Sequence, residues 1–188
     1  MKKIVLAGAV LLAIQTTFAQ QSHVEFGVKG GVNLANFKDE NTSNTDSRTG
    51  FYAGGLAHIH LTKHFAVQPE LVYSQQGAEY GGTKWKANYV NIPVLAQYMF
   101  ANGFRLQTGP QLGILAGSEV KSGNSETDLD DVFKTTDFSW SFGTSYLTRS
   151  GLGVDARYNL GLSNIDKSES RELKNRVWQL GLFYQFRH

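Results

Sequence analysis

From Val24 onward, apolar and polar residues alternate one by one over long stretches, and no helical period competes with that signal. Val24, Phe26, Val28, Gly30, Val32 and Leu34 interleave with Glu25, Gly27, Lys29, Gly31 and Asn33. A period of two puts one set on each face of a strand. The same alternation recurs over 51–61, 65–73, 90–100, 104–116, 138–146, 152–162 and 178–186. These segments predict eight strands of about ten residues, the length a tilted transmembrane strand needs, where strands of soluble proteins are nearer five or six. The connectors alternate as well. Thr62-Lys63-His64, Ala101-Asn102-Gly103 and Thr148-Arg149-Ser150 are short, whereas 35–49, 77–84, 117–136 and 164–175 are longer and polar. In an up-and-down barrel that pattern collects short turns at one rim and long loops at the other, the asymmetry of outer-membrane barrels. The predicted fold is therefore all-β, an eight-stranded antiparallel up-and-down transmembrane β-barrel, with both termini on the periplasmic, short-turn side.

Alternation leaves open which face meets lipid. Three features place the apolar face outside. The polar face carries charges within the strands: Glu25, Lys29, Glu70, Arg105, Asp155 and Arg157. Aromatic residues collect near the strand ends of the apolar face. Phe65, Tyr98, Phe100, Phe104, Tyr146, Tyr184 and Phe186 lie toward the short-turn rim, and Phe51, Tyr73, Trp140 and Trp178 toward the other. Such rings form the interfacial girdles of membrane barrels. The last strand also ends on Tyr184 and Phe186, next to the C-terminus. The competing reading is a soluble, lipocalin-like barrel with its apolar face inside, holding a hydrophobic ligand.

Composition refines this picture. Lys2 and Lys3, the apolar run 4–14 and Thr17-Phe18-Ala19 have the order of a secretory signal, so cleavage is expected after Ala19. The chain then divides into a signal peptide, 1–19, and a barrel domain, 20–188. The apolar run is short of the ~20 residues of a spanning helix, and any later span must be a closed barrel. Formal charge is +2, from 18 Lys+Arg and 16 Asp+Glu; without Lys2 and Lys3 it is 16 against 16, so no basic footprint for nucleic acid remains. With no cysteine, neither a disulfide framework nor a thiolate site is available.

Several segments carry a family resemblance. They are Pro69-Glu70-Leu71-Val72-Tyr73 with Gly77, Tyr89-Val90-Asn91-Ile92-Pro93-Val94-Leu95, Gly109-Pro110, and Gly151-Leu152-Gly153-Val154-Asp155-Ala156-Arg157-Tyr158. In this order and spacing the mature chain resembles the PorT-type outer-membrane β-barrel family. The resemblance implies an outer-membrane barrel and no single activity. The founding type is linked to a protein-secretion apparatus, a role that no surface of this sequence calls for.

The interior charges are the foremost candidate site. An eight-stranded barrel is just wide enough for side chains to fill, and buried charges must be paired. Glu25, Lys29, Glu70, Arg105, Asp155 and Arg157 are therefore expected to form a structural network; a narrow polar pore is the functional alternative. His58, His60 and His64 carry imidazoles suited to zinc or copper, but a short hairpin sets Gln68 opposite His58 and no acidic cluster completes a site. A polar interior is expected there, with no metal and no cofactor. A lipid-modifying enzyme would need a base beside a nucleophile. Ser43, Ser47, Ser118, Ser122 and Ser125 have none beside them in sequence, so no catalytic residue is assigned. Asp39, Glu40 and Asp46, and Glu126, Asp128, Asp130 and Asp131, make acidic loops without calcium-loop spacing.

The expected function is non-enzymatic: an envelope-integrity or surface-interaction barrel, with a small-solute porin as the alternative. Expected partners are outer-membrane lipid, the barrel-assembly machinery during biogenesis, and an external ligand or envelope protein at the long loops. A monomer is the default.

Overall fold

The computed structural model describes residues 24–39, 46–80, 83–122, 125–128, 134–165 and 173–186. The predicted signal peptide with its cleavage after Ala19, and Ser43, Glu40, Asp130 and Asp131, lie outside the described residues. The strands are β1 (Val24–Asp39), β2 (Asp46–His60), β3 (Phe65–Tyr80), β4 (Thr83–Met99), β5 (Phe104–Ser122), β6 (Ser125–Asp128), β7 (Thr136–Leu147), β8 (Leu152–Gly161) and β9 (Leu173–Gln185). Eight of them close a ring in the order β4-β3-β2-β1-β9-β8-β7-β5, with β5 pairing back onto β4; β6 only extends the outer end of β5. All pairings are antiparallel. Ring closure leaves the wall without an edge, so its backbone polar groups are satisfied within it.

The alternation resolves as outside and inside. Leu180 is 62 % exposed, Trp178 60 % and Leu71 59 %, whereas Glu70 is 4 %, Asp155 3 % and Arg157 2 % exposed. The apolar face is thus the outer wall, which removes the soluble barrel with an apolar lumen. On β1 the apolar band runs from Val24 to Leu34. Ten residue steps of ~3.4 Å, tilted by ~40°, span roughly 26 Å, the height of an outer-membrane apolar band. Toward the short-turn end the rings of Tyr98 meet Phe65 at 5.1 Å and Phe100 at 4.9 Å, and Tyr184 meets Phe186 at 5.4 Å.

The three short turns are held locally. The Thr62 hydroxyl accepts from the backbone N–H groups of His64 and Phe65 (3.2 and 3.0 Å), and the Asn102 side-chain oxygen accepts from Phe104 N–H (3.1 Å). Gly103 and Gly151 take φ of 92° and 90°, where a Cβ is strained. A Cβ on Gly151 would also stand 2.7 Å from the Gln185 carbonyl oxygen. Gly151→Ala is therefore expected to lower stability by about 1–3 kcal/mol, read as an earlier conversion of the folded to the unfolded gel band on heating.

Three expectations are corrected. Strands of about ten residues become strands of up to 19, because β1 to β5 run on past the apolar band. The connector expected over 77–84 is mostly paired strand, continuing to Tyr80↔Thr83. Past the band lipid no longer faces the outer wall, so the ladder persists while the alternation that reveals it in the sequence stops. The interior is also less uniformly polar than expected: Leu56, Leu147 and Phe183 form an apolar cluster inside it.

Candidate functional site

β3 and β8 face each other across the ring, four strands apart in either direction. Glu70 on β3 and Arg157 on β8 both point inward. The Arg157 guanidinium donates two hydrogen bonds to the Glu70 carboxylate, at 2.8 and 2.9 Å. This fork-to-fork geometry is the strongest pairing that arginine makes with a carboxylate. It spans the diameter of the barrel.

Other charges join this bar. Lys29 on β1 donates to Glu70 at 3.3 and 3.4 Å and to Asp155 on β8 at 3.3 Å. Asp155 also accepts from the Tyr52 hydroxyl at 3.2 Å, and Gln68 donates to Glu70 at 2.7 Å. Two cations and two anions thus share one enclosed cluster with side-chain exposures of at most 3 %. Each member is held by its neighbours, as enclosure of an ion requires.

The remaining sequence candidates lie apart from that core. Arg105 on β5 donates to the Gln185 side-chain oxygen at 3.2 Å, and Gln185 in turn donates to Glu25. The structure therefore brings Lys29, Glu70, Asp155 and Arg157 together, and connects Arg105 to Glu25 through Gln185. Tyr52 and Gln185 were not singled out from the sequence. The available signal was a tyrosine and a glutamine on the charged face of their strands.

His58 is fully buried, with Nδ1 3.3 Å from the Gln68 side-chain oxygen, and its ring meets His60 edge-on at 4.5 Å. Among the described residues no group of three or more His, Cys, Asp or Glu is placed to hold a metal ion. Nearer the long-connector rim the interior is mostly amides and hydroxyls, joined by the buried carboxylate of Asp137, which accepts from Asn175 at 3.4 Å and from the half-buried Ser163 hydroxyl at 2.8 Å. Asn33 donates to Ser74 and to the Gln75 carbonyl oxygen (both 2.9 Å), Gln179 donates to Asn33 (2.9 Å), and Ser141 donates to Asn159 (2.7 Å). These hydroxyls are engaged with amides. Of the serines considered as nucleophiles, Ser47 is exposed and Ser118 is buried in the wall.

Residues 18–167 match the family described as "Outer membrane protein beta-barrel domain". The chain belongs to this family. It is an outer-membrane β-barrel protein of the bacterial envelope. Among solved structures, Neisserial surface protein A aligns with a TM-score of 0.64 at 14 % identity, covering 87 % of this chain and 99 % of that one. Ail, the attachment invasion locus protein of Yersinia pestis, aligns with a TM-score of 0.55 at 16 % identity, covering 86 % of this chain and 98 % of that one. At these identities the likeness concerns the fold. No curated protein matches the chain.

Proposed function

We propose that this protein is a closed, non-enzymatic outer-membrane barrel that strengthens the envelope and presents its long-connector rim to the cell exterior, with both termini periplasmic. The observation that carries this reading is the Glu70–Arg157 pair, joined across the full diameter by two short hydrogen bonds. Side chains already fill a barrel of this strand number, and open aqueous channels belong to much larger ones. The charge cluster fastens opposite walls together and occludes the lumen. The hydroxyls of Ser74, Ser139 and Ser141 are held by amides, which supports the non-enzymatic part. Assignment to the PorT-type branch belongs to the same reading and is supported by the order and spacing of the quoted segments.

Planar-bilayer recording tests the closed lumen. The parent protein is expected to add no conductance to a lipid bilayer. Arg105→Ala, away from the diametric pair, is expected to lower the heat-conversion temperature and still add none. Steady unitary currents from the parent would establish a small-solute porin instead. Orientation has its own test. Ser47 is exposed beyond the apolar band at the long-connector end of β2, and the chain has no cysteine. Ser47→Cys is expected to react with a membrane-impermeant maleimide on intact cells. Reaction only after the outer membrane is opened would invert the proposed orientation.

A further inference from the structure

The seam between β1 and β9, where the first and last barrel strands meet, changes character abruptly at the long-connector end. Below, its outer face is apolar. Leu34 pairs in register with Trp178, and the Trp178 ring lies 4.7 Å from that of Tyr158 on β8. One outward position further along β9 is Arg176, registered with Asn36 on β1 and Leu160 on β8. The next outward position is Lys174, registered with Lys38. Lys174 and Arg176 thus share the outer face of β9, two residues apart. Lys174 has an interaction of its own within the chain, so Arg176 is the cation that decides the site. Its Nε is shielded from solvent yet has no hydrogen-bond partner among the described residues, while the residue as a whole is half-buried on the outer wall. A cation in that place stands where the aromatic girdle ends and lipid headgroups begin.

We infer that the β1–β9 seam is a binding site for a phosphorylated glycolipid of the outer leaflet, with Arg176 as the phosphate ligand and Lys174 supporting it. The lipid's acyl chains lie along Leu34, Trp178 and Leu180, and its phosphate meets the guanidinium one step above the Trp178 ring. Arginine suits this role because its fork binds phosphate oxygens two at a time. The outer-leaflet source rests on the orientation proposed above.

The test uses the full folded protein in phosphatidylcholine nanodiscs doped with diphosphoryl lipid A or with its dephosphorylated form. Retained lipid is counted by native mass spectrometry. The parent is expected to retain the phosphorylated form preferentially. Arg176→Gln is expected to reduce that preference about fivefold and Arg176→Gln/Lys174→Gln further, since each interfacial cation contributes on the order of a fivefold factor toward an anionic lipid surface. Arg176→Lys is expected to keep part of the preference, because an ammonium preserves the charge but not the bidentate fork, and high salt to weaken it. Each variant must show the parent's heat-modifiable band; should Arg176→Gln fail to fold, Arg176→Lys and the salt series carry the test. Equal retention of the two lipid forms, or a preference untouched by Arg176→Gln, overturns the site. A phosphate preference that depends on Arg176 while Ser47→Cys labels only from the periplasm overturns the outer-leaflet source and the orientation but not the cation site.

Discussion

Arg157→Ala is expected to destabilise the folded barrel by about 3–5 kcal/mol, the usual consequence of removing one partner from a buried ion pair. The enclosed Glu70 would lose both of its Arg157 hydrogen bonds and keep Lys29, at 3.3 and 3.4 Å, and Gln68. Lys29 is already shared with Asp155, so it cannot replace the guanidinium fork. Arg157→Lys is expected to recover part of the loss, because an ammonium preserves charge but not bidentate geometry. The double substitution Glu70→Gln/Arg157→Gln is expected to cost clearly less than the sum of its two singles, since neither leaves the other's charge behind. The measurement is the urea dependence of the folded, fast-migrating gel band for the parent and the variants. An Arg157→Ala protein within 1 kcal/mol of the parent, or strictly additive singles, would show that the diametric pair does not hold the walls together.

Gly31→Val is expected to be more damaging still, preventing the ring from closing. Gly31 and Gly181 face each other across the β1–β9 seam. A Cβ on Gly31 would lie 2.2 Å from the Leu180 carbonyl oxygen and 2.5 Å from the Gly181 Cα. Both are backbone atoms, so no side chain can swing away to relieve the overlap. On the other partner, a Cβ at Gly181 would sit 2.2 Å from the Tyr52 hydroxyl. The two glycines thus make the floor over which the Tyr52 side chain passes from β2 to Asp155 on β8. Overpacking ordinarily costs about 1–3 kcal/mol and occasionally more; here the overlap is with backbone that no rotamer change relieves, which places it at the upper end and can abolish folding. The expected result is loss of the heat-modifiable band from outer membranes. Gly55→Ala is the control: its Cβ would meet nothing closer than 3.7 Å, and a change within about 0.5 kcal/mol is expected. A normally heat-modifiable Gly31→Val barrel would mean that the seam is looser than its geometry.

The membrane-embedded part of the fold was legible in the sequence for a definite reason. Lipid outside and a packed polar lumen inside impose opposite preferences on adjacent residues, so every strand within the band writes its own boundaries as alternation. Phe51-Tyr52-Ala53 and Gln179-Leu180-Gly181 can be assigned to their faces on that basis alone. Past the band, as over 77–80 or 117–122, the strand continues through backbone pairing without the apolar–polar alternation that marks it inside the band. Inward apolar residues such as Phe183 broke the alternation and were passed over, although Phe183 packs with Leu56 and Leu147.

The candidate site divided in the same way. Alternation put Lys29, Glu70, Arg105, Asp155 and Arg157 on one face, and their charge made that face the inner one, because charged side chains within a membrane band have nowhere else to go. Which of them would touch was a matter of barrel closure and strand stagger, which no linear pattern encodes. Closure made β3 and β8 diametric neighbours, so that Glu70 met Arg157 rather than Arg105. It also brought Gln185, near the end of the chain, between Arg105 and Glu25 near its start, and it set Lys174 opposite Lys38. The sequence by itself determined strand number, face and membrane residence, since these follow from each residue's own solvent. Only the tertiary structure decided the pairings inside the lumen and along the seam, since these depend on how far each strand is shifted against the next around a closed ring.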